Sequence, residues 1–486
     1  MKKEQTNSIY HRAKWWQMAL FPLNNTATNL YMSLMGYVSY YLVGFGGLAV
    51  VLVGTIMTAM RIWDGVTDPI IGFIVDKTDG KFGKNRPFMV IGNVILAIMA
   101  IIIFKTTHLV PKSMTLIYFI VLYAIYIIGY TIQCVVTKSA QTCLTNDPSQ
   151  RPVFSIYDGI YNSVLFTIMG FVVSNIWVKK YNGFSLEFFN TYLWFTVISS
   201  AILTILAVIA IWSKDRKEFY GTGVPQKITF RDYWEVLKHN RAIQMLVVSA
   251  SSDKLCSSIA RNSVIPIMVY GIVCGSFEVS GQLGMIMFIP NILMMFFGCG
   301  LIARKLGQRK AMIYGSIGGI VFNVALFALF ILGDPTKLTI TNMGMFTVLF
   351  LIFTILAQGS IGVAGNIVIP MTADCADYET YRSGKYVPGL MGTLFSFVDK
   401  VISSLATTVV AFAIAAIGFT TTQPTVDTPY SASIFWVGTI LMFIVPCIGL
   451  VCNLIAMKFY PLTKEKMEEI QESIAEIKAK AQVEAK

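Results

Sequence analysis

RIWDGVTDPIIGFIVDKTDGKFGKNRP, residues 61–87, is the stretch whose reading decides the fold. Its first part sets Arg61, Asp64 and Asp68 into an otherwise apolar run, and its second turns into a Gly- and Lys-rich loop. A charge at the centre of a membrane-spanning helix costs about 2.5–3.5 kcal/mol on insertion scales, so it faces a cavity or a partner rather than lipid. Asp64 and Asp68 are four residues apart and share one helix face. Two carboxylates about 6 Å apart repel by about 3 kcal/mol at an effective dielectric of 20, and a captured monovalent cation or proton removes that repulsion. Thr67 adds a neutral oxygen, and Pro69 removes a backbone donor, which frees a carbonyl near position 65. The pair reads as a site for Na+ or H+. Arg61 acting only as a salt-bridge partner would account for one carboxylate and leave the other unexplained.

Outward from this stretch the whole chain is apolar. Of 486 residues 55% are hydrophobic and 13% charged, and the mean hydropathy is +0.65. Twelve apolar tracts, at 15–43, 47–74, 87–106, 113–139, 153–178, 190–212, 241–272, 280–302, 311–332, 343–370, 389–418 and 432–459, are each near the roughly 20 residues that cross a hydrocarbon core. In lipid such tracts are helices, because no other local structure satisfies its own backbone. The predicted class is an all-α membrane protein with twelve transmembrane helices.

The polar stretch 213–240 cuts the tracts into six and six. The expected organisation is a tail over 1–14, six-helix bundles over 15–212 and 241–459, a central loop between them, and an amphipathic helix over 460–486. In that last segment Met467, Ile470, Ile474 and Ile477 fall at helical spacing, which suits a membrane surface, a partner or a solvated tail helix. The loops GKFGKNRP (80–87) and ARKLGQRK (303–310) echo one another, with Gly83 and Gly307 224 positions apart. Two parallel six-helix repeats imply alternating access around a site between them.

Lys and Arg crowd the N-terminal tail, loops 77–86 and 304–310 and the central loop, and are sparse in the intervening loops. The positive-inside rule then places both termini in the cytoplasm of a multi-pass protein of the inner membrane. The net charge of +12 is topological and implies no nucleic-acid partner. Eight cysteines, largely inside apolar tracts and without CxxC pairs, read as small hydrophobes, and three histidines complete no metal site. No phosphate-binding GxxxxGK[ST] loop and no nucleophile-base set occurs, so neither ATP hydrolysis nor enzyme chemistry is expected, and no cofactor beyond a coupling ion.

The 61–87 stretch resembles the helix 2 and following-loop signature of the glycoside-pentoside-hexuronide:cation symporters, the melibiose permease group of the major facilitator superfamily. WDxxxDP (63–69) joined to a loop carrying Gly72, Asp76, Thr78, Gly83, Arg86 and Pro87 is specific to that group. YTI (130–132) is similar to its helix 4 cation segment, ADCADYETYRSGKYVPGLMGTLFSFVDKVISS (373–404) to its loop 10–11 and helix 11, and FYPLTKEKMEEI (459–470) to the end of its helix 12. The resemblance implies the major facilitator fold and a cation site of Asp64, Thr67, Asp68 and Thr131. It also implies a sugar site on helices 1, 4, 5, 10 and 11, with Ser396 and Lys400 on helix 11.

Departures concentrate in the sugar site. The family's helix 1 aspartate falls on or near Asn24 and Asn25, its helix 4 aspartate on Cys134, its helix 4 tryptophan near Lys138, and its helix 5 arginine on or beside Asp158. Lys138 and Asp158 are expected to pair across helices, and Lys138 with Lys400 tilts the pocket towards an anionic sugar such as a hexuronide. Lys138 snorkelling to the surface is the competing reading. Asp76, Arg86 and Arg304 are candidates for a cytoplasmic charge latch between conformations; simple topogenic charge is the alternative. The expected activity is sugar:cation symport, with a small-molecule sugar, a monovalent cation and the bilayer as partners. A proton-coupled antiporter on the same fold and a non-transporting sugar sensor are the rivals, separated by the direction of gradient dependence and by flux.

Overall fold

The computed structural model describes residues 11–78, 80, 82–145, 150–216, 238–297, 303–383, 388–470 and 472–473. Twelve helical stretches follow the twelve apolar tracts. They are α1 (Trp15–Leu20, Leu23–Met35 and Val38–Gly44), α2 (Val50–Lys77), α3 (Arg86–Thr106), α4 (Lys112–Ser139), α5 (Arg151–Phe171 continued by Val172–Trp177 and Val178–Lys180) and α6 (Leu186–Ile211). Then come α7 (Arg241–Ala260, then Val264–Pro266 and Ile267–Val273), α8 (Glu278–Phe297), α9 (Gln308–Leu332), α10 (Met345–Ser383), α11 (Pro388–Ala416) and α12 (Ala432–Thr439, Ile440–Ile444 and Val445–Phe459).

Among the described residues eight helices are long and apolar enough to cross a bilayer, and α7, bent by 45° at its break, makes a ninth. Pro22, which cannot donate a backbone hydrogen bond, and the Gly36–Tyr37 turn split α1 into three pieces, and α11 contributes the shorter apolar stretch Lys400–Ala416.

The chain divides into two compact units, residues 1–225 with 414–425, and residues 226–413 with 426–486. Each unit pairs its helices in the same way. In the first, α1 packs on α6, α3 on α4 and on α6, and α2 on α4; in the second, α7 packs on α12, α9 on α10 and on α12, and α8 on α10. Each of these four pairings recurs six helices later, so the weak loop echo is the surface sign of a repeated packing plan. The turn between α11 and α12 belongs to the first unit: Thr420 O accepts from Val50 N at 2.9 Å, and Pro424 O from Tyr40 Oη at 2.9 Å.

Two glycines hold the echoing loops. Gly83 has φ 90° and Gly307 φ 83°, the left-handed region that only glycine enters without strain. A Cβ on Gly83 would collide with the Asp215 carboxylate, whereas one on Gly307 would stand 3.1 Å from the Lys464 side chain. Residues 464–470 are helical. Their Ile470, fully buried, joins Met371, Cys375, Tyr460 and Leu462 in the core of the second unit, with Met467 packed alongside. That part of the C-terminal helix is docked on its own protein; Ile474 and Ile477 lie outside the described residues.

Candidate functional site

Helix α2 sorts its residues by period. Ile62, Trp63, Val66, Ile70, Phe73 and Ile74 are exposed at the outer surface, while Asp64, Thr67, Ile71 and Val75 are buried at spacings of three and four. Asp64 therefore points inward, only 2% exposed. Its Oδ1 accepts from the Thr131 hydroxyl on α4 at 3.1 Å, and its backbone carbonyl accepts from the Thr67 hydroxyl at 3.0 Å. The two hydroxyl oxygens stand 3.1 Å apart.

Thr67 and Thr131 are hydrogen-bonded to each other as well as to Asp64, so the carboxylate and the two hydroxyls form one closed oxygen cluster. A carboxylate and two neutral oxygens make a hard-oxygen set of the kind small cations take. Asp68, one turn further along, is half-buried on the same helix. Arg61 Nη1 lies 3.7 Å from Asp64 Oδ2, at the limit of an ion pair, with its side chain 42% exposed. Asp64 thus has a guanidinium within reach and a neutral cage on its other oxygen, a carboxylate whose counter-charge can be exchanged. Among the described residues no three His, Cys, Asp or Glu side chains gather as a metal site.

Next along α4, two turns from Thr131, Thr137 accepts a hydrogen bond from Asn24 Nδ2 on α1 at 2.8 Å. Asn24 is fully buried, and its Oδ1 has no hydrogen-bond partner among the described residues. A buried amide oxygen left without a donor costs about 1–3 kcal/mol, which a ligand hydroxyl would recover. On the neighbouring face of α1, Asn25 Nδ2 donates to Asp158 Oδ1 at 2.8 Å, and Asn29 Nδ2 donates to Asn162 Oδ1 at 2.8 Å. Both pairs are four residues apart on both helices, so α1 and α5 are joined by a two-rung polar ladder. Tyr157 and Tyr161 flank it, with ring centroids 5.9 Å apart.

Asn24, Asn25 and Asp158 are thereby brought onto one polar face with α4. Cys134 lies half-buried on α4 between Thr131 and Thr137. Lys138 and Asp158 are not brought together. Lys138 is exposed at the end of α4, and Asp158 takes an amide donor from Asn25 in place of the expected ammonium. The amide reaches Asp158 because Asn25 sits directly opposite it in the α1–α5 contact, whereas Lys138 is at the helix terminus, where its charge stays hydrated. Asn29, Asn162 and Thr137 were missed in the sequence; the matching four-residue spacings 25/29 and 158/162 are the signal that could have found them.

In the second unit Lys400 is half-buried on α11; the side chain of Ser396 lies outside the described residues. So do those of Asp76 and Arg304. Arg86, the third latch candidate, meets Asp215. Asp215, just past α6 and completely buried, accepts from the backbone N–H groups of Lys84 (3.2 Å), Asn85 (3.0 Å) and Arg86 (2.9 Å), from Asn85 Nδ2 (3.0 Å) and from Arg86 Nε (3.4 Å). Arg86 also stacks on Trp212, 4.6 Å from the ring centroid. The loop before α3 is therefore clasped within the first unit.

The chain is similar to a glucuronide carrier protein homolog of Escherichia coli (24% identical, covering 94% of each chain). It is also similar to an isoprimeverose transporter of Lactiplantibacillus pentosus (20% identical, covering 95% of this chain and 92% of the other). Among solved structures it shares the fold of the nucleoside transporter NupG, with a TM-score of 0.63 at 14% identity over 93% of this chain and 100% of that one. The family model for MFS/sugar transport proteins matches residues 24–464, and the chain belongs to that family of multi-pass membrane transporters.

Proposed function

We propose that the protein is a secondary active sugar:cation symporter working by alternating access. Asp64, Thr67, Asp68 and Thr131 hold a coupling Na+ or H+, and the polar face of α1, α4 and α5, with Asn24, Asn25, Cys134 and Asp158, contacts a small sugar or glycoside. Relatives named as a glucuronide carrier homolog and an isoprimeverose transporter support a saccharide cargo. The single observation that carries the reading is a carboxylate 2% exposed inside a spanning helix, bonded at 3.1 Å to a hydroxyl of a neighbouring span. Burial of an ionised group in such a place is costly without a counter-charge, and a transported cation supplies one.

Helix α4 joins the two sites: Thr131 belongs to the cation set and Thr137 to the Asn24 contact, six residues apart on the same helix. An ion that fixes α4 against α2 also fixes the Thr137–Asn24 rung, so each ligand favours the other by a coupling free energy of about 1–3 kcal/mol. The cycle draws on the ion gradient alone. The protein sits in the inner membrane with both termini in the cytoplasm, in line with its Lys and Arg distribution.

The test is uptake of labelled glycosides into proteoliposomes under imposed gradients. An inward Na+ or H+ gradient should drive accumulation in the wild type and not in Asp64→Asn. Uptake driven only by an outward ion gradient would make the protein an antiporter, and saturable binding with no flux would make it a sensor.

A further inference from the structure

Asp158 sits half-buried on α5 as one member of a face otherwise made of neutral amides and hydroxyls: Asn24, Asn25, Asn29, Thr137 and Asn162. Its described hydrogen bonds come from amides; Asn25 Nδ2 is 2.8 Å away, and no described Lys or Arg is in ion-pair contact with it. Lys138, the cation expected to neutralise it, is exposed at the end of α4. An amide hydrogen bond orients a carboxylate without cancelling its charge, so this face of the first unit carries a net negative charge beside an amide oxygen that has no donor.

We infer that Asp158 sets the charge preference of the sugar site, admitting neutral, hydroxyl-rich glycosides and rejecting sugars that carry a carboxylate. This rests on the symport reading above, and it reverses the anionic ligand expected from Lys138. A neutral sugar brings hydroxyl protons to the Asp158 carboxylate and to Asn24 Oδ1, and accepts from the amide N–H groups. A uronide replaces one donating hydroxymethyl by a second negative charge, which in a cavity of reduced dielectric is repelled at contact range.

The experiment compares matched pairs in proteoliposomes holding the full chain: 4-nitrophenyl β-glucoside against 4-nitrophenyl β-glucuronide, and 4-nitrophenyl β-galactoside against its galacturonide. Initial rates are read at equal concentration under inward Na+ and H+ gradients. The wild type should carry a neutral member about tenfold faster than its uronide partner or more, a difference of the size one charge contact makes. Asp158→Asn should bring the two within about threefold by raising uronide uptake, while Asp158→Glu keeps the preference. If Asp158→Asn fails to reach the membrane, Asp158→Gln and Asp158→Ser replace it, and each should narrow the ratio in the same way. A wild type that moves the uronide as fast as its partner, or a folded neutral variant at Asp158 with an unchanged ratio, overturns the assignment. Movement of no member of any pair overturns the symport reading itself.

Discussion

Two aspartates of the first unit are buried almost equally, Asp64 at 2% and Asp215 at 0% exposure, yet they are held in opposite ways. Asp215 is gripped by three backbone N–H groups, an amide and a guanidinium, all at 3.4 Å or less. Asp64 Oδ1 takes a hydroxyl at 3.1 Å, and its nearest described cation stands at 3.7 Å. Backbone donors are fixed by the fold and cannot leave; hydroxyls rotate and a long arginine withdraws. A carboxylate saturated by fixed donors is structural, whereas one caged by movable groups can trade its counter-charge, so the type of donor separates the two roles where burial does not.

The contrast is broken or sharpened by substitution. The largest effect is expected at Asp64→Asn, which should reduce concentrative uptake by about 100-fold or more while leaving thermal stability within about 1 kcal/mol of the wild type; transport assays and detergent melting curves measure the two. Asp215→Ala should do the reverse. Removing one partner of a buried, multiply bonded ion pair costs about 3–5 kcal/mol, so melting should fall steeply, with transport per folded molecule kept. Gly83→Ala should cost about 1–3 kcal/mol, from positive φ and collision with Asp215, and Gly307→Ala less, because the Lys464 side chain it meets can move; paired melting curves read the difference. Smallest, Thr131→Ala should weaken the apparent affinity for the coupling ion by about tenfold, with Thr131→Ser near the wild type, in titrations of uptake against ion concentration. Equal losses in stability and transport for Asp64 and Asp215 would erase the distinction.

The division of legibility follows distance along the chain. Asp64, Thr67 and Asp68 were readable because four-residue spacing within one apolar tract already fixes a shared face. The twelve helices were readable because lipid leaves the backbone no other option. The Asp215 clasp was not, since its partners lie about 130 residues away and its loop reads as topogenic charge. The polar face of α1, α4 and α5 was half readable: Asn24, Asn25 and Asp158 were located by resemblance. Their partners, Thr137 and the Asn29–Asn162 rung, depend on which helices pack together, and local sequence does not specify that. An expected ion pair gave way to an amide because proximity in the folded bundle, and not opposite charge in the sequence, chose the partner of Asp158.

Helix α10 runs for 39 residues, a contour of about 58 Å at 1.5 Å per residue, and so extends well beyond a bilayer core of about 30 Å. Its far end is sealed by Ile470, buried against Met371 and Cys375 on that same helix. During synthesis, then, the stalk of α10 emerges before the segment that covers its apolar flank, and the second unit completes its folding only when residues near 470 have left the ribosome. A chain cut shortly before that point would keep all of α10 and leave its flank around Met371 and Cys375 uncovered.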